Sequence, residues 1–337
     1  MENQKEILYE VKNLKTHFPI KEGFFNKVTG HVKAVDNVSL EIYRGETLGI
    51  VGESGCGKTT LGKTLMMLQK PTEGELIYHV DGQEKDLTKV SKEELFNFRK
   101  KVQMVFQDPY SSLNPLKNIY EAFEEPLKVH GYKTKAERET IMQKVVQMVN
   151  LLPEYLYRYP HEFSGGQRQR LCIARVLQLS PELIIFDEPV SALDVSIQAQ
   201  VLNLVRELQK ELNLTYVFIA HDLSVVQYMS DRIIVMYLGK IVEIAESNEL
   251  VMNSLHPYTS ALLSAVPVPE VGGKMQRIIL EGDVPSPINK PSGCPFRNRC
   301  RYAMDICAKE EPVLLKKENG HQVACHLYDP TKGDRHA

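Results

Sequence analysis

The chain has 337 residues, 43% of them hydrophobic, with a formal net charge of −2. That length accommodates two domains with a full core, and the near-neutral charge gives no electrostatic case for a nucleic-acid partner. No run approaches 18 consecutive apolar residues, and Met1 to Glu6 lack the basic and apolar segments of a signal peptide, so neither a transmembrane helix nor export is expected.

Residues 7–45 read as strands of an antiparallel sheet, with apolar-rich segments at 7–11 and 32–42. Residues 46–106 are expected to supply the first strand (47–51) and first helix (60–68) of an α/β core. Between these two elements stands Gly52-Glu53-Ser54-Gly55-Cys56-Gly57-Lys58-Thr59, followed by Thr60. This fits G-x-x-x-x-G-K-[ST] in the strand–loop–helix setting that the pattern requires. Its glycines let backbone N–H groups turn onto phosphate oxygens, and the helix N-terminus adds partial positive charge. Lys58 can reach the β- and γ-phosphates, and the Thr59 hydroxyl can ligate Mg²⁺. Cys56 has two readings here: a thiol activated by Lys58 and the helix end, or a small side chain that fits.

Residues 108–162 read mostly as helices, including 135–152. Next comes Phe163-Ser164-Gly165-Gly166-Gln167, opening a helix over 167–175 and so offering a second helix N-terminus to an anion. Leu183 to Phe186 is an apolar run of buried parallel-strand type, ending in Asp187 and Glu188. Carboxylates at that end suit Mg²⁺ orientation (Asp187) and a general base (Glu188). Another apolar strand, 216–220, precedes His221. Residues 232–237 and 240–244 read as a hairpin turning through Leu238-Gly239. Phe18 is the preferred aromatic to stack on a base, with Phe24 and Phe25 as rivals, a contact worth about 1 kcal/mol.

Beyond about Asn253 the composition shifts. Prolines crowd residues 266–295, which argues against long helices or central strands. Something other than regular ladders is expected to hold this extension. It contains Cys294, Cys300, Cys307 and Cys325, four of the six cysteines, whose spacing is looser than usual for structural zinc. Four thiolates suit zinc or an iron–sulfur cluster, and reduced structural thiols are the bland alternative.

Taken together, the motifs resemble the ATP-binding cassette ATPases over about residues 5–250. Residues 163–167 are similar to that family's signature, with Phe163 in place of the commoner Leu. Gln107 resembles its Q-loop glutamine, Ser191-Ala192-Leu193-Asp194 its D-loop, and His221 its switch histidine. The resemblance implies an α/β P-loop NTPase: a RecA-like parallel core, an antiparallel β-subdomain and an inserted helical subdomain. It implies ATP and Mg²⁺ as ligands, with Gln107 beside Thr59 and Asp187 at the metal. Two head-to-tail subunits would share each ATP, the signature of one facing the phosphate loop of the other.

His256-Pro257-Tyr258-Thr259, residues 281–287 and Cys294-Pro295-Phe296-Arg297-Asn298-Arg299-Cys300 resemble the C-terminal region of oligopeptide and dipeptide importer ATPases. Some members of that family carry a [4Fe-4S] cluster on the four cysteines. Residues 107–115 and His17-Phe18-Pro19 are similar to its F-type subunit, whose partner is the D-type paralogue. The implied organisation is a nucleotide-binding domain over 1–253, with its helical subdomain at about 108–162, and a C-terminal domain over 254–337. The implied complex is a heterodimer on the cytoplasmic face of the cell membrane, with two transmembrane permeases and an extracellular substrate-binding protein. Importers of nickel or other small solutes, and soluble cassette ATPases acting on DNA or ribosomes, are the alternatives. The ordinary helical insert before Ser164 speaks against the soluble ones. A redox-sensing cysteine cluster is compatible with import.

Overall fold

The computed structural model describes residues 6–23, 26–80, 82–266 and 278–332. The chain divides into two compact units. One is formed by residues 1–43, 47–89 and 220–337, the other by residues 44–46 and 90–219.

In the first unit, four antiparallel strands run in the order Lys27–Tyr43, Ile7–Glu22, Glu73–Val80, Gln83–Asp86. Residues 73–86 therefore extend the antiparallel sheet, whereas the sequence reading placed all of 46–106 in the α/β core. Their pattern is strand-like, but only long-range pairing such as Val11 with Leu76 says which sheet they join. Leu8, Val11, Leu14, Val38 and Leu76 are buried along it.

The same unit contains Thr47–Val51, buried at every position, parallel to Arg232–Tyr237. That strand turns through Leu238 (φ 45°) and Gly239 (φ 79°) into antiparallel Lys240–Glu246. Positive φ at both central residues is the turn that matches strand twist in a two-residue hairpin. Gln322–Val323 pairs with Lys240–Glu246, and Leu315–Lys316 with Gln322–Val323. The extension is thus held partly by a short ladder, contrary to expectation. Beside that ladder lies a buried hydrogen-bonded pair: Glu243 Oε1 and His321 Nε2 are 2.7 Å apart, with side chains 0% and 1% exposed. Glu243 also accepts from the N–H groups of Leu255 (2.6 Å) and His256 (3.1 Å).

In the second unit, Thr215–Ile219, Leu183–Asp187 and Val102–Val105 form a parallel run. The first two strands are buried throughout, as expected for strands covered on both faces. Lys92–Lys101 is a helix with a Ser91/Glu94 capping box. That S-x-x-E pattern is a local signal for a helix start. The helix expected over 135–152 ends at Met148. Asn150 then takes φ 58° and Pro153 starts a 3₁₀ turn, both ordinary ways to stop a helix.

Candidate nucleotide site

The phosphate loop belongs to the first unit. Strand Thr47–Val51 delivers it and helix Lys58–Leu65 receives it, starting two residues earlier than expected. Gly52 (φ 152°) and Gly57 (φ 107°) pass so close to the Met236 and Ala34 carbonyl oxygens that a Cβ on either would overlap them. Glycine is therefore required by space, and at Gly57 also by its left-handed backbone. The Gly239 N–H donates to Cys56 O at 2.8 Å, so the hairpin turn props the loop from behind. Ser54 and Gly55 are exposed at the tip, while Thr59 and Thr60 are half-buried in the first helical turn.

Lys58 is 4% exposed. Its Nζ donates to Gly52 O (2.8 Å) and Glu53 O (3.2 Å), curling over the loop it belongs to. Cys56 is 2% exposed, and burial pushes its thiol above the ordinary value despite the nearby Lys58 ammonium. The activated reading of Cys56 is therefore set aside, since a buried, protonated thiol is a poor nucleophile. Cys172 behaves alike, pushed up to about 12 by burial.

His221 is exposed in the same unit, just after Ala220, whose N–H donates to Ile50 O at 3.2 Å. Phe18 is half-buried and pairs across the sheet with Val32. Phe24 and Phe25 lie outside the described residues.

The second unit carries the other predicted residues. Asp187 ends its strand 3% exposed. Glu188 follows with φ 49°, a left-handed conformation uncommon for such a residue and often found where a side chain is held for function. Gln107 Nε2 donates to Glu188 Oε2 at 3.2 Å, and the Ser191 hydroxyl donates to Glu188 O at 3.0 Å. Gln107 and Glu188, 81 residues apart in sequence, thus meet directly.

Ser164 caps helix Gly165–Leu177: the Gln167 N–H donates to Ser164 Oγ (3.3 Å) and the Ser164 N–H to Gln167 Oε1 (3.0 Å). A Cβ on Gly166 would overlap the Ile197 side chain. Phe163 is buried against Tyr155, so the unusual aromatic serves as the apolar lead-in. Asp194 caps helix Val195–Leu212 through the Ile197 N–H (3.0 Å). Its carboxyl is held below the usual value by the Ser196 hydroxyl and the Ile197 N–H. The segment after Gln107 is tied to the signature helix: Arg175 donates to Ser112 O at 2.8 Å, and the Arg168 guanidinium lies 4.0 Å from the Tyr110 ring centre. Neither arginine's partner is marked by any local pattern, since Ser112 and Tyr110 lie more than 50 residues away in the chain.

The four C-terminal cysteines are free thiols in electrostatic reach of one another. Burial first, then neighbouring thiols, push Cys294 up to about 11 and Cys325 up to about 12. Cys300 is raised for the same reasons. The Cys294 N–H donates to Cys307 O at 2.8 Å. The donor chemistry fits a four-thiolate group. Among the described residues, however, no three His, Cys, Asp or Glu side chains stand at a spacing that holds a metal.

Glu53 also has partners that motif reading missed. Arg299 donates to its two carboxylate oxygens at 2.6 and 3.0 Å, and the Glu53 N–H donates to the Tyr258 hydroxyl at 2.8 Å.

Two family models match: ABC transporter over residues 35–191, and Oligopeptide/dipeptide transporter, C-terminal region, over residues 242–307. The chain is 54% identical over 329 residues to the oligopeptide transport ATP-binding protein AppF of Bacillus subtilis, covering 97% of this chain and 98% of that one. It is 50% identical over 333 residues to OppF of Escherichia coli, with coverage of 97% and 98%. Among solved structures, the dimeric post-hydrolysis cassette MJ0796 bound to ADP and Pi aligns with a TM-score of 0.61 at 31% identity, covering 71% of this chain and 99% of that one. Among the described residues, no helix is long and apolar enough to cross a membrane.

Proposed function

The chain belongs to the oligopeptide-transport ATP-binding proteins of the ATP-binding cassette family, and from that premise we propose that it hydrolyses ATP to power peptide import through a membrane transporter. The observation that carries the chemistry is the Gln107–Glu188 contact at the end of a buried parallel strand. In this reading the loop from Gly52 to Thr60 cradles the triphosphate, with Lys58 turning from the loop carbonyls to the phosphates. Glu188 takes the proton of the attacking water. His221 contacts the γ-phosphate, and Phe18 stacks on adenine. Thr59, Asp187 and Gln107 are the residues that would hold Mg²⁺, whose charge would offset that of the phosphates.

Ser164 to Gln167 face the γ-phosphate held by a second subunit, and Asp194 lies in the loop that follows Glu188. The capped N-terminus of Gly165–Leu177 supports that role, because its orphan N–H groups suit an anion. Dimerisation and membrane permeases follow from family membership. The finer proposals are a D-type paralogue as second subunit, two permeases, an extracellular substrate-binding protein, and a peripheral position on the cytoplasmic face. The segment after Gln107, braced by Arg168 and Arg175, is where permeases would dock. The domain boundary at 253/254 is proposed likewise, on the shift in composition that follows Asn253.

A [4Fe-4S] cluster or zinc on Cys294, Cys300, Cys307 and Cys325 is proposed on donor type alone. Iron, zinc and acid-labile sulfide analysis of anaerobically purified protein decides between them, and none of the three sinks both.

A mild-detergent pull-down of the tagged chain from its own membranes tests the central reading. Two permeases and a second cassette ATPase are the expected partners. Recovery of soluble partners alone would overturn import and leave the ATPase chemistry.

A further inference from the structure

The phosphate-loop consensus treats the residue after its first glycine as free. In this chain that residue is Glu53, and each of its polar groups is engaged. Its carbonyl accepts from Lys58 and its N–H donates to Tyr258. Its carboxylate takes a two-pronged bond from Arg299, the geometry in which guanidinium and carboxylate bind most strongly. The Arg299 side chain is 8% exposed and that of Glu53 26%, so the pair is partly shielded from solvent.

Both outside partners come from the C-terminal part of the chain. Tyr258 is fully buried, with ring centres 4.8 Å from Tyr237 and 5.4 Å from Phe296. Arg299 sits in the 3₁₀ turn Arg297–Arg299, which is fixed at both ends: the Arg297 N–H donates to Cys294 O (3.2 Å) and the Cys300 N–H to Arg297 O (3.3 Å). A charged group is thus held on a rigid turn and aimed at the loop.

Two physical consequences follow. A loop held in shape before its ligand arrives loses less freedom on binding. And a carboxylate on a loop built for a triphosphate repels that anion unless a cation neutralises it. We propose that Arg299 is a positioning residue for the phosphate loop: by clamping and neutralising Glu53, the C-terminal extension sets the affinity for ATP. This rests on the reading of residues 52–60 as the ATP site.

The test is equilibrium dialysis of Mg-ATP against the full chain. Arg299→Met is expected to raise Kd about tenfold, roughly 1.4 kcal/mol, with a smaller effect at high salt. Arg299→Lys, which keeps the charge, is expected to retain most of the affinity. The decisive variant adds Glu53→Gln to Arg299→Met. Removing the uncompensated carboxylate restores binding to within about threefold of wild type, a rescue that a merely architectural arginine does not give. The proposal is overturned if Arg299→Met binds like wild type, or if the double variant binds no better than Arg299→Met. Wild type that fails to bind ATP would overturn the parent reading as well, so the two failures are distinct.

Discussion

Glu188→Gln separates proton transfer from every other job the residue could do. The Gln107 amide donates to Glu188 Oε2 at 3.2 Å, and a glutamine side-chain oxygen accepts that bond equally well. The bonds from Ser191 go to the Glu188 carbonyl, which the substitution leaves in place. The left-handed backbone at φ 49° costs Gln about what it costs Glu. What disappears is a basic lone pair and one negative charge. A positioned general base contributes about 10²–10⁴-fold, so single-turnover hydrolysis should fall by that factor, about 3–5 kcal/mol in barrier. ATP affinity stays within about twofold, since the residue does not belong to the loop that cradles phosphate. Size-exclusion chromatography with Mg-ATP is expected to show an accumulated dimer in the variant, because closure is no longer undone by hydrolysis. Hydrolysis at the wild-type rate would refute the assignment of the base. Loss of ATP binding would show that the carboxylate holds the metal or the fold instead.

Two further predictions concern what holds the extension and the loop. Glu243→Leu leaves the Leu255 and His256 N–H groups and the buried His321 ring without their acceptor, a cost of about 1–3 kcal/mol for each buried group left unsatisfied. Limited proteolysis within residues 278–332 should accelerate well before the rest of the chain is cut, and an unchanged digestion pattern would contradict the anchoring role. Asp36 bonds His17, Lys240 and Lys290. Burial alone would raise its carboxyl, but Lys290, Lys240 and the hydrogen bonds outweigh that and lower it from 3.8 to about 2. Its folded value lies below the unfolded one, so its contribution to stability is full above pH 3.8 and is lost as pH falls toward 2. Urea midpoints of wild type should drop more steeply than those of Asp36→Asn across that window, and parallel curves would remove Asp36 as the cause.

The elements that proved readable share one property: their signal is local. Gly52 and Gly57 are demanded by backbone crowding within one loop, Leu183–Asp187 is an uninterrupted apolar run, and Ser164 caps the helix that immediately follows it. The Leu238-Gly239 turn was legible because the strands on either side lie next to it in sequence. What escaped reading depends on pairings between distant single residues. No periodicity marks Glu73–Val80 as a strand of the antiparallel sheet, and nothing near Gln322 announces a ladder with Lys240–Glu246. The proline-rich stretch lies in part, at residues 267–277, outside the described residues, and its described part, 278–295, holds no helix or strand, as proline density argued; a two-residue strand and one buried Glu–His hydrogen bond further on are below the length at which pattern has meaning.

Glu53 shows why motif reading stops where it does. A pattern such as G-x-x-x-x-G-K-[ST] records positions whose chemistry is fixed by the phosphate, and leaves open those fixed by the rest of the molecule. The glutamate at an open position is unfavourable beside an anion when considered alone. Here its charge is offset by Arg299, 246 residues further along the chain. An acidic residue at an unconstrained place in a phosphate loop is therefore a reason to search the same chain for a buried arginine. Here that search leads to the turn between Cys294 and Cys300, and it ties the extension to the ATPase chemistry through one side chain that can be substituted.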